Sequence, residues 1–285
     1  MSVRVGISGW RYKGWRGSFY PPGLRQRSEL AYAAARFSTI ELNGSFYSLQ
    51  TPGAYRQWYA DTPDDFVFAV KAPRFLTHVK RLRQIDLPMA NFLASGLLAL
   101  EHKLGPLLWQ FPATFRWEPE TFERFLQSLP RSTAAAAAWA SRHDERVPEP
   151  HLAIVRDRPL RHAVEVRHPS FMDRALIAQL RRHGVALVVA DTAGRFPVMH
   201  DVTADFLYLR LHGDTELYTS GYDEQSLQDW AARIRCWAGG AQPSDAQCIA
   251  PDPALRAPRD VYVYFDNDAK VCAPFDAQRL IALLE

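Results

Sequence analysis

The residues able to do chemistry come in short runs whose members sit two apart. They are Glu41-Leu42-Asn43, Glu165-Val166-Arg167-His168, Arg210-Leu211-His212-Gly213 and Asp266-Asn267-Asp268. In an extended strand, residues two apart share a face. Glu41 with Asn43, Glu165 with Arg167, and Arg210 with His212 can therefore project together. Such sets suit a polar ligand held in one orientation, with proton transfer to or from it. Glu41 and Glu165 are the candidate general acid or base, with His212 or His78 as partner. Lys71, Arg167 and Arg210 are the candidate anion holders, and Asn43, Gln110 and Asn267 are expected to orient polar groups. Each charged set has a structural alternative. Glu165 and Arg167 could be a buried core pair, and Arg210 could satisfy a carboxylate on a neighbouring strand. Lys71 reads more readily as a cationic anchor than as a Schiff-base amine, a role that requires desolvation. Trp10, Tyr12, Trp15, Phe19 and Tyr20 form either a loop packed over the site or a stacking wall for a ring.

These runs lie at the ends of strand-like segments. β-rich stretches occur at Arg4–Ser8, Thr39–Asn43, Phe66–Lys71, Pro106–Phe111, Ala163–Arg167, Val185–Asp191, Phe206–Leu211 and Val261–Phe265. Most are near-continuous apolar runs that end in polar residues, as parallel strands covered by helices do. Helical patterns separate them. Ser28 is placed to cap Glu29–Phe37, and Thr51-Pro52 to open the segment bearing Tyr55 and Trp58. Met89–Lys103 reads as one helix stopped by Gly105, and Glu120–Leu129 as another. Arg174–His183 ends at Gly184, Glu224–Trp237 at Gly239-Gly240, and Ala277–Leu284 follows the eighth strand. Eight strands, each followed by a helix or a helix-sized connection, predict a single (β/α)8 TIM barrel over residues 1–285. An extra helix is expected within Ser132–His143, and a long surface loop over Gly239–Arg259 before the eighth strand.

Composition sets the outer limits. The 285 residues are 47% hydrophobic and 23% charged, which excludes a largely disordered chain. A net charge of +3 neither demands nor excludes an anionic partner. No GxxxxGK[ST], GxSxG or GxGxxG motif is present, which disfavours P-loop, α/β-hydrolase and Rossmann chemistry. Basic residues are dispersed rather than gathered in a stripe, so a DNA-binding helix is not indicated. Cys236, Cys248 and Cys272 are odd in number and lack CxxC spacing, which predicts free thiols. With no signal-like opening and no run approaching roughly 20 apolar residues, a cytoplasmic protein without a membrane partner is expected. Glu41, His78, Glu165, His168, Asp191, His212 and Asp266 could in principle bind a divalent metal. Without compact ligand spacing a metal is not favoured, and the cofactor is left open.

In combination these runs resemble the YecE-like family, a domain of unknown function numbered seventy-two. The resemblance is carried by Gly6-Ile7-Ser8-Gly9-Trp10, Thr39-Ile40-Glu41-Leu42-Asn43-Gly44-Ser45-Phe46-Tyr47, and Phe66–Lys71 with Thr77-His78. It continues through Leu104–Pro112, Glu165–His168 with Phe171, Arg210–Gly213 and Tyr264–Asp268, from about Val3 to about Leu284. It implies a TIM barrel and no established reaction. An analogy to endonuclease IV-type barrels comes with it. The chain departs from the pattern at Asp266 and Asp276, where Asn is usual, and at Val271, where Gly is common. The resulting expectation is an enzyme acting by acid/base chemistry on a ring-bearing phosphorylated or carboxylated small molecule. The alternative is a nucleic-acid-binding or repair protein.

Overall fold

The computed structural model describes residues 2–251 and 257–285. Eight strands close into a parallel barrel in the order β1 to β8, with β1 paired to β8. They are β1 Val3–Ser8, β2 Thr39–Leu42, β3 Val67–Lys71, β4 Leu104–Gln110, β5 His162–Glu165, β6 Ala186–Asp191, β7 Phe206–Leu211 and β8 Asp260–Phe265. Both faces of these strands are covered, which is why the sequence shows apolar runs rather than alternation. On β4, Leu107 and Trp109 pack outward against the helices, while Leu108 turns into the barrel with Ala69, Ala163, Val188, Tyr208 and Tyr264. This interior is a packed core and not a channel.

The inward positions form layers whose top is polar. Ser8 is level with Glu41, Gln110 with Glu165, and Ala190 with Arg210 in the strand registers. The candidate residues on β2, β4, β5 and β7 thus converge on one end of the barrel with Ser8 of β1, and Lys71 ends β3 beside them.

Among the helices, α1 Glu29–Ala34 is shorter than expected, and the Ser28 side chain makes no capping bond because Ser28 itself closes a 3₁₀ turn. A one-turn helix, α2 Gly44–Tyr47, leaves β2. Thr51 caps α3 Pro52–Ala60 by accepting from the Ala54 amide. The extra helix is present as α6 Thr133–Ala140, after α5 Pro119–Ser128. Gly184 ends α7 Arg174–His183 in the left-handed region. α8 Glu224–Ala238 follows β7, and α9 Cys272–Leu284 starts five residues earlier than the apolar pattern suggested. No helix separates β6 from β7; an irregular connection spans that interval. The expected loop Gly239–Arg259 is irregular where described, and residues 252–256 of it lie outside the described residues. The three cysteines are free. No helix among the described residues is long and apolar enough to cross a membrane.

The expectation of one helix over Met89–Lys103 is corrected. The segment is α4 Asp86–Ala94, broken at Gly96 and followed by 3₁₀ turns across Leu97–Lys103 with a second kink at Glu101. Gly96 has φ +120, and a Cβ there would lie 2.6 Å from Pro52 Cα and 3.0 Å from the Tyr55 ring. Only glycine allows both that backbone and the close approach of α3. Gly96→Ala is expected to cost about 3 kcal/mol from strain and overpacking together. Thermal denaturation would show a loss of roughly 5–10 °C; an unchanged midpoint would refute the tight contact.

Candidate functional site

A cavity of about 750 Å³ opens at the C-terminal ends of the strands. Its wall is built from the loop after β1 (Trp10, Arg11, Tyr12), the β2 end with α2 (Asn43, Phe46, Tyr47), and Lys71, Arg74 and His78 from β3 and its loop. Gln110, Arg167, Tyr218, Asp266 and Asp268 complete it. The β3 loop folds as a π-helical turn, Phe75–Val79, which carries His78 to the wall. Turns of this type recur at functional positions.

Beneath the cavity lies a saturated ionic floor. Arg210 is fully buried and meets three carboxylates. It donates to Glu41 Oε2 at 3.0 Å and Oε1 at 2.8 Å, to Glu165 Oε2 at 2.6 Å, and to Asp266 Oδ2 at 2.7 Å. Glu41 also accepts from Ser8 Oγ and, at 2.6 Å, from Tyr208. Glu165 Oε1 accepts from Arg167 Nε at 2.7 Å. Burial opposes ionisation of Glu165, but Arg167 and Arg210 hold it well below the usual carboxylate range. Asp266 is likewise held low against its burial, chiefly by Arg210.

His212 is buried beside this floor. Arg210 Nη1 lies 3.4 Å from its Nε2, and a guanidinium can only donate, so Nε2 is the acceptor and the proton sits on Nδ1. Nδ1 lies 3.1 Å from Asp266 Oδ2, a contact that adds to the pull of Arg210 in holding that carboxyl low.

The sequence-predicted residues therefore divide. Trp10, Tyr12, Asn43, Lys71, His78, Gln110 and Arg167 line the cavity. Glu41, Glu165, Arg210 and His212 are brought together, but under it and not on its wall. Arg210 thus takes the structural alternative, its guanidinium consumed by neighbouring strands. Asn267 does not reach the cavity. Its amide donates to Asp276 Oδ2 at 2.8 Å and to the Ser220 carbonyl, fixing the loop that carries Asp266 and Asp268. Asp276, one of the departures, is thereby an anchor for that loop, and Val271 adopts φ +62, the left-handed conformation that explains why glycine suits the position. The aromatic cluster divides as well: Trp15, Phe19 and Tyr20 are buried against one another, and Trp10 and Tyr12 alone of the five face the cavity.

Sequence reasoning misses Arg74 and assigns no role to Phe46, Tyr47 or Asp268, although it places all three at the strand ends. Burial and the adjacent Asp266 charge push the Asp268 carboxyl up to about 6. Its spacing of two from Asp266 was the signal. Among the cavity cations, Lys71 is pushed down to about 8 by burial and then by Arg210. His78 is pushed down to about 4 by burial and then by Arg74 and Lys71, so it is neutral at pH 7, with Nδ1 2.8 Å from Thr77 Oγ1. The Tyr12 hydroxyl donates to the Ser8 carbonyl at 2.5 Å, and burial keeps it protonated. No group of three or more His, Cys, Asp or Glu side chains among the described residues is arranged to hold a metal ion.

Eight parallel strands closed around a packed core, with a cavity of charged and aromatic residues at their C-terminal ends, define a TIM-barrel protein whose candidate site is built from strand-end residues and the loops that follow them. Within that class the chain belongs to the family described as protein of unknown function DUF72, whose model matches residues 4–285. It is 26% identical over 196 residues to the UPF0759 protein YecE of Escherichia coli K12, a match covering 67% of this chain and 59% of YecE. It is 30% identical over 123 residues to the UPF0759 protein YunF of Bacillus subtilis, covering 41% of this chain and 43% of YunF. The matches thus span about half the length of these curated relatives. A solved DUF72 family protein from Thermotoga maritima superposes with TM-score 0.74 at 26% identity, covering 100% of this chain and 99% of that one. A second, from Enterococcus faecalis, gives 0.71 at 17% identity over 99% and 95% of the two chains, and supports the fold alone.

Proposed function

We propose that the protein is an enzyme that binds a small ring-bearing anion in the rim cavity and transfers a proton to or from it. The observation that carries this reading is the pairing, in one cavity, of uncommitted cations with an aromatic wall and a carboxyl tuned near neutrality. The Lys71 and Arg74 side chains have no hydrogen-bond or ion-pair partner among the described residues, and Arg167 bonds Glu165 and Tyr218 through Nε and Nη2, leaving Nη1 for a ligand. These three would hold the anion, and Trp10 and Phe46 would bracket the ring. Asn43 and Gln110 orient polar groups; the buried Asn43 Oδ1 lacks a partner among the described residues.

Proton transfer then belongs to Asp268, with His78 as its neutral partner, because a general acid or base works best when its pKa is near the operating pH. Glu41 and Glu165, held by Arg210 and Arg167, are assigned to supporting the floor, with His212 beside them.

The test is a thermal-shift panel of sugar phosphates, nucleotides, aromatic carboxylates and single-stranded oligonucleotides. A ligand at 100 times its Kd stabilises by about 2.7 kcal/mol. The expected hit is a small ring-bearing anion whose shift is lost in Arg74→Ala. With that ligand as substrate, Asp268→Asn should cut turnover roughly 10²–10⁴-fold while leaving the shift in place. Wild-type turnover should rise as pH passes about 6, where Asp268 ionises. Shifts from oligonucleotides alone, erased by moderate salt, would replace this reading with nucleic-acid binding.

A further inference from the structure

Two buried lysines in this barrel behave oppositely. Lys103 donates to the Tyr59 carbonyl at 2.7 Å, the Thr62 carbonyl at 2.8 Å and Thr62 Oγ1 at 3.3 Å. It is a satisfied structural ammonium. Lys71 is 7% exposed, yet its Nζ has no hydrogen bond and no carboxylate within ion-pair distance among the described residues. The nearby carboxylates are already committed: Glu41 and Asp266 to Arg210, Glu165 to Arg210 and Arg167. Nζ stands over the Phe46 ring, 4.4 Å from its centre. β3 alternation turns Lys71 inward, above Ala69, so the amine stands where the cavity meets the floor. A desolvated amine with no acceptor, open to a ligand cavity, is the arrangement that makes lysine a nucleophile rather than a structural cation.

We infer that Lys71 is a covalent catalytic residue whose Nζ condenses with the carbonyl carbon of an anionic aldehyde or ketone bound in the rim cavity. This rests on that cavity being the ligand site, and it narrows the ligand to carbonyl compounds. The neutral amine attacks the carbonyl carbon, the C=O π pair moves to oxygen, and a proton passes from nitrogen to that oxygen. The carbinolamine then loses its hydroxyl as water, taking a proton that the ionised Asp268 carboxylate, lining the same cavity, relays from solvent. The product is an iminium with a C=N bond, and the sole by-product is water. No oxidant or reductant is needed. The iminium keeps its positive charge at Nζ, so attraction for the anion survives the bond.

The experiment incubates the whole protein with glyoxylate or pyridoxal 5′-phosphate at pH 7 and reduces the mixture with borohydride. Intact mass and peptide mapping then locate the adduct. The chain has only five lysines, Lys13, Lys71, Lys80, Lys103 and Lys270, so mapping is unambiguous. With the amine at about 8, Lys71 carries on the order of a hundredfold more free base at pH 7 than a lysine of ordinary pKa. The expected result is one adduct per chain, on Lys71, forming at least tenfold faster than on Lys13, Lys80 or Lys270, with a rate that climbs as pH passes about 8. Lys71 left unmodified by both probes, or modified no faster than the exposed lysines, overturns the inference. Pyridoxine 5′-phosphate, which has the ring and the phosphate but no carbonyl, separates the two readings. If it raises the melting temperature while Lys71 stays unmodified, the cavity binds ring-bearing anions and the covalent step is wrong. If it gives no shift while Lys71 is selectively trapped, the amine chemistry stands and the ring-bearing anion reading fails.

Discussion

Arg210→Met is expected to abolish the folded barrel or to leave it melting at least 10 °C lower. The guanidinium is the common partner of Glu41, Glu165 and Asp266, which sit on strands β2 and β5 and just past β8. Methionine keeps much of the volume and removes all of the charge, so Glu41 and Asp266 lose their guanidinium and Glu165 keeps only Arg167. Breaking a single buried ion pair from one side costs about 3–5 kcal/mol. A whole domain is stable by only about 5–15 kcal/mol. If uncompensated charge is the cause, neutralising the other side should restore part of the loss. Arg210→Met combined with Glu41→Gln and Glu165→Gln should then melt higher than Arg210→Met alone. Denaturation curves for the single and triple variants decide this, and a triple variant weaker than the single one would show that packing, not charge, dominates.

The pH response of the two proteins should differ in sign. In the wild type, Glu165 and Asp266 are held below their unfolded values, so their contribution is full above the ordinary carboxylate range. It declines as pH falls below about 4. In Arg210→Met, Glu165 keeps Arg167, but Asp266 is buried without a guanidinium. Protonation of Asp266 is then favoured by folding, and mild acid should raise the variant's stability relative to the wild type.

The pairing within this floor stands in the sequence only as an alternative to ligand binding, because its partners are far apart along the chain. The eight strands were legible because each is buried on both faces and so is written as an apolar run. The rim was legible because polar residues two apart must share a face. Which polar groups would consume one another was not, since Arg210 and Glu41 are 169 residues apart and nothing local pairs them. The same blindness hid Gly96: its role comes from the backbone of α3 pressing on it, and an apolar helical pattern runs straight through it. Residue type does not set Asp268 apart from its strand-end neighbours; its proximity to neutrality arises from burial beside Asp266. Patterning thus locates a site in a barrel like this one, while the division between groups that face a ligand and groups that face one another is settled only by tertiary contact.

That division predicts a substitution of the opposite kind one layer higher. Lys71→Met is expected to raise the melting temperature by roughly 5–10 °C. Lys71 forms no ion pair with the floor, and burial pushes its amine down to about 8 from an ordinary value near 10.5. Keeping the proton at pH 7 therefore costs on the order of 3 kcal/mol, about 1.4 kcal/mol for each tenfold. Methionine removes that cost and still packs on Phe46. The sign over pH follows from the lowered value. The wild-type penalty is full below pH 8 and is relieved as pH rises through 8 toward 10.5. The gap between variant and wild type should accordingly be constant at neutral pH and close across that interval. Paired melts from pH 6 to pH 10 would reveal it. A variant less stable than wild type at pH 7 would mean that Lys71 supports the floor electrostatically, as the third cation against Glu41, Glu165 and Asp266. A gain in stability would identify Lys71 as a residue the fold bears at a cost, which is the signature of a group retained for function.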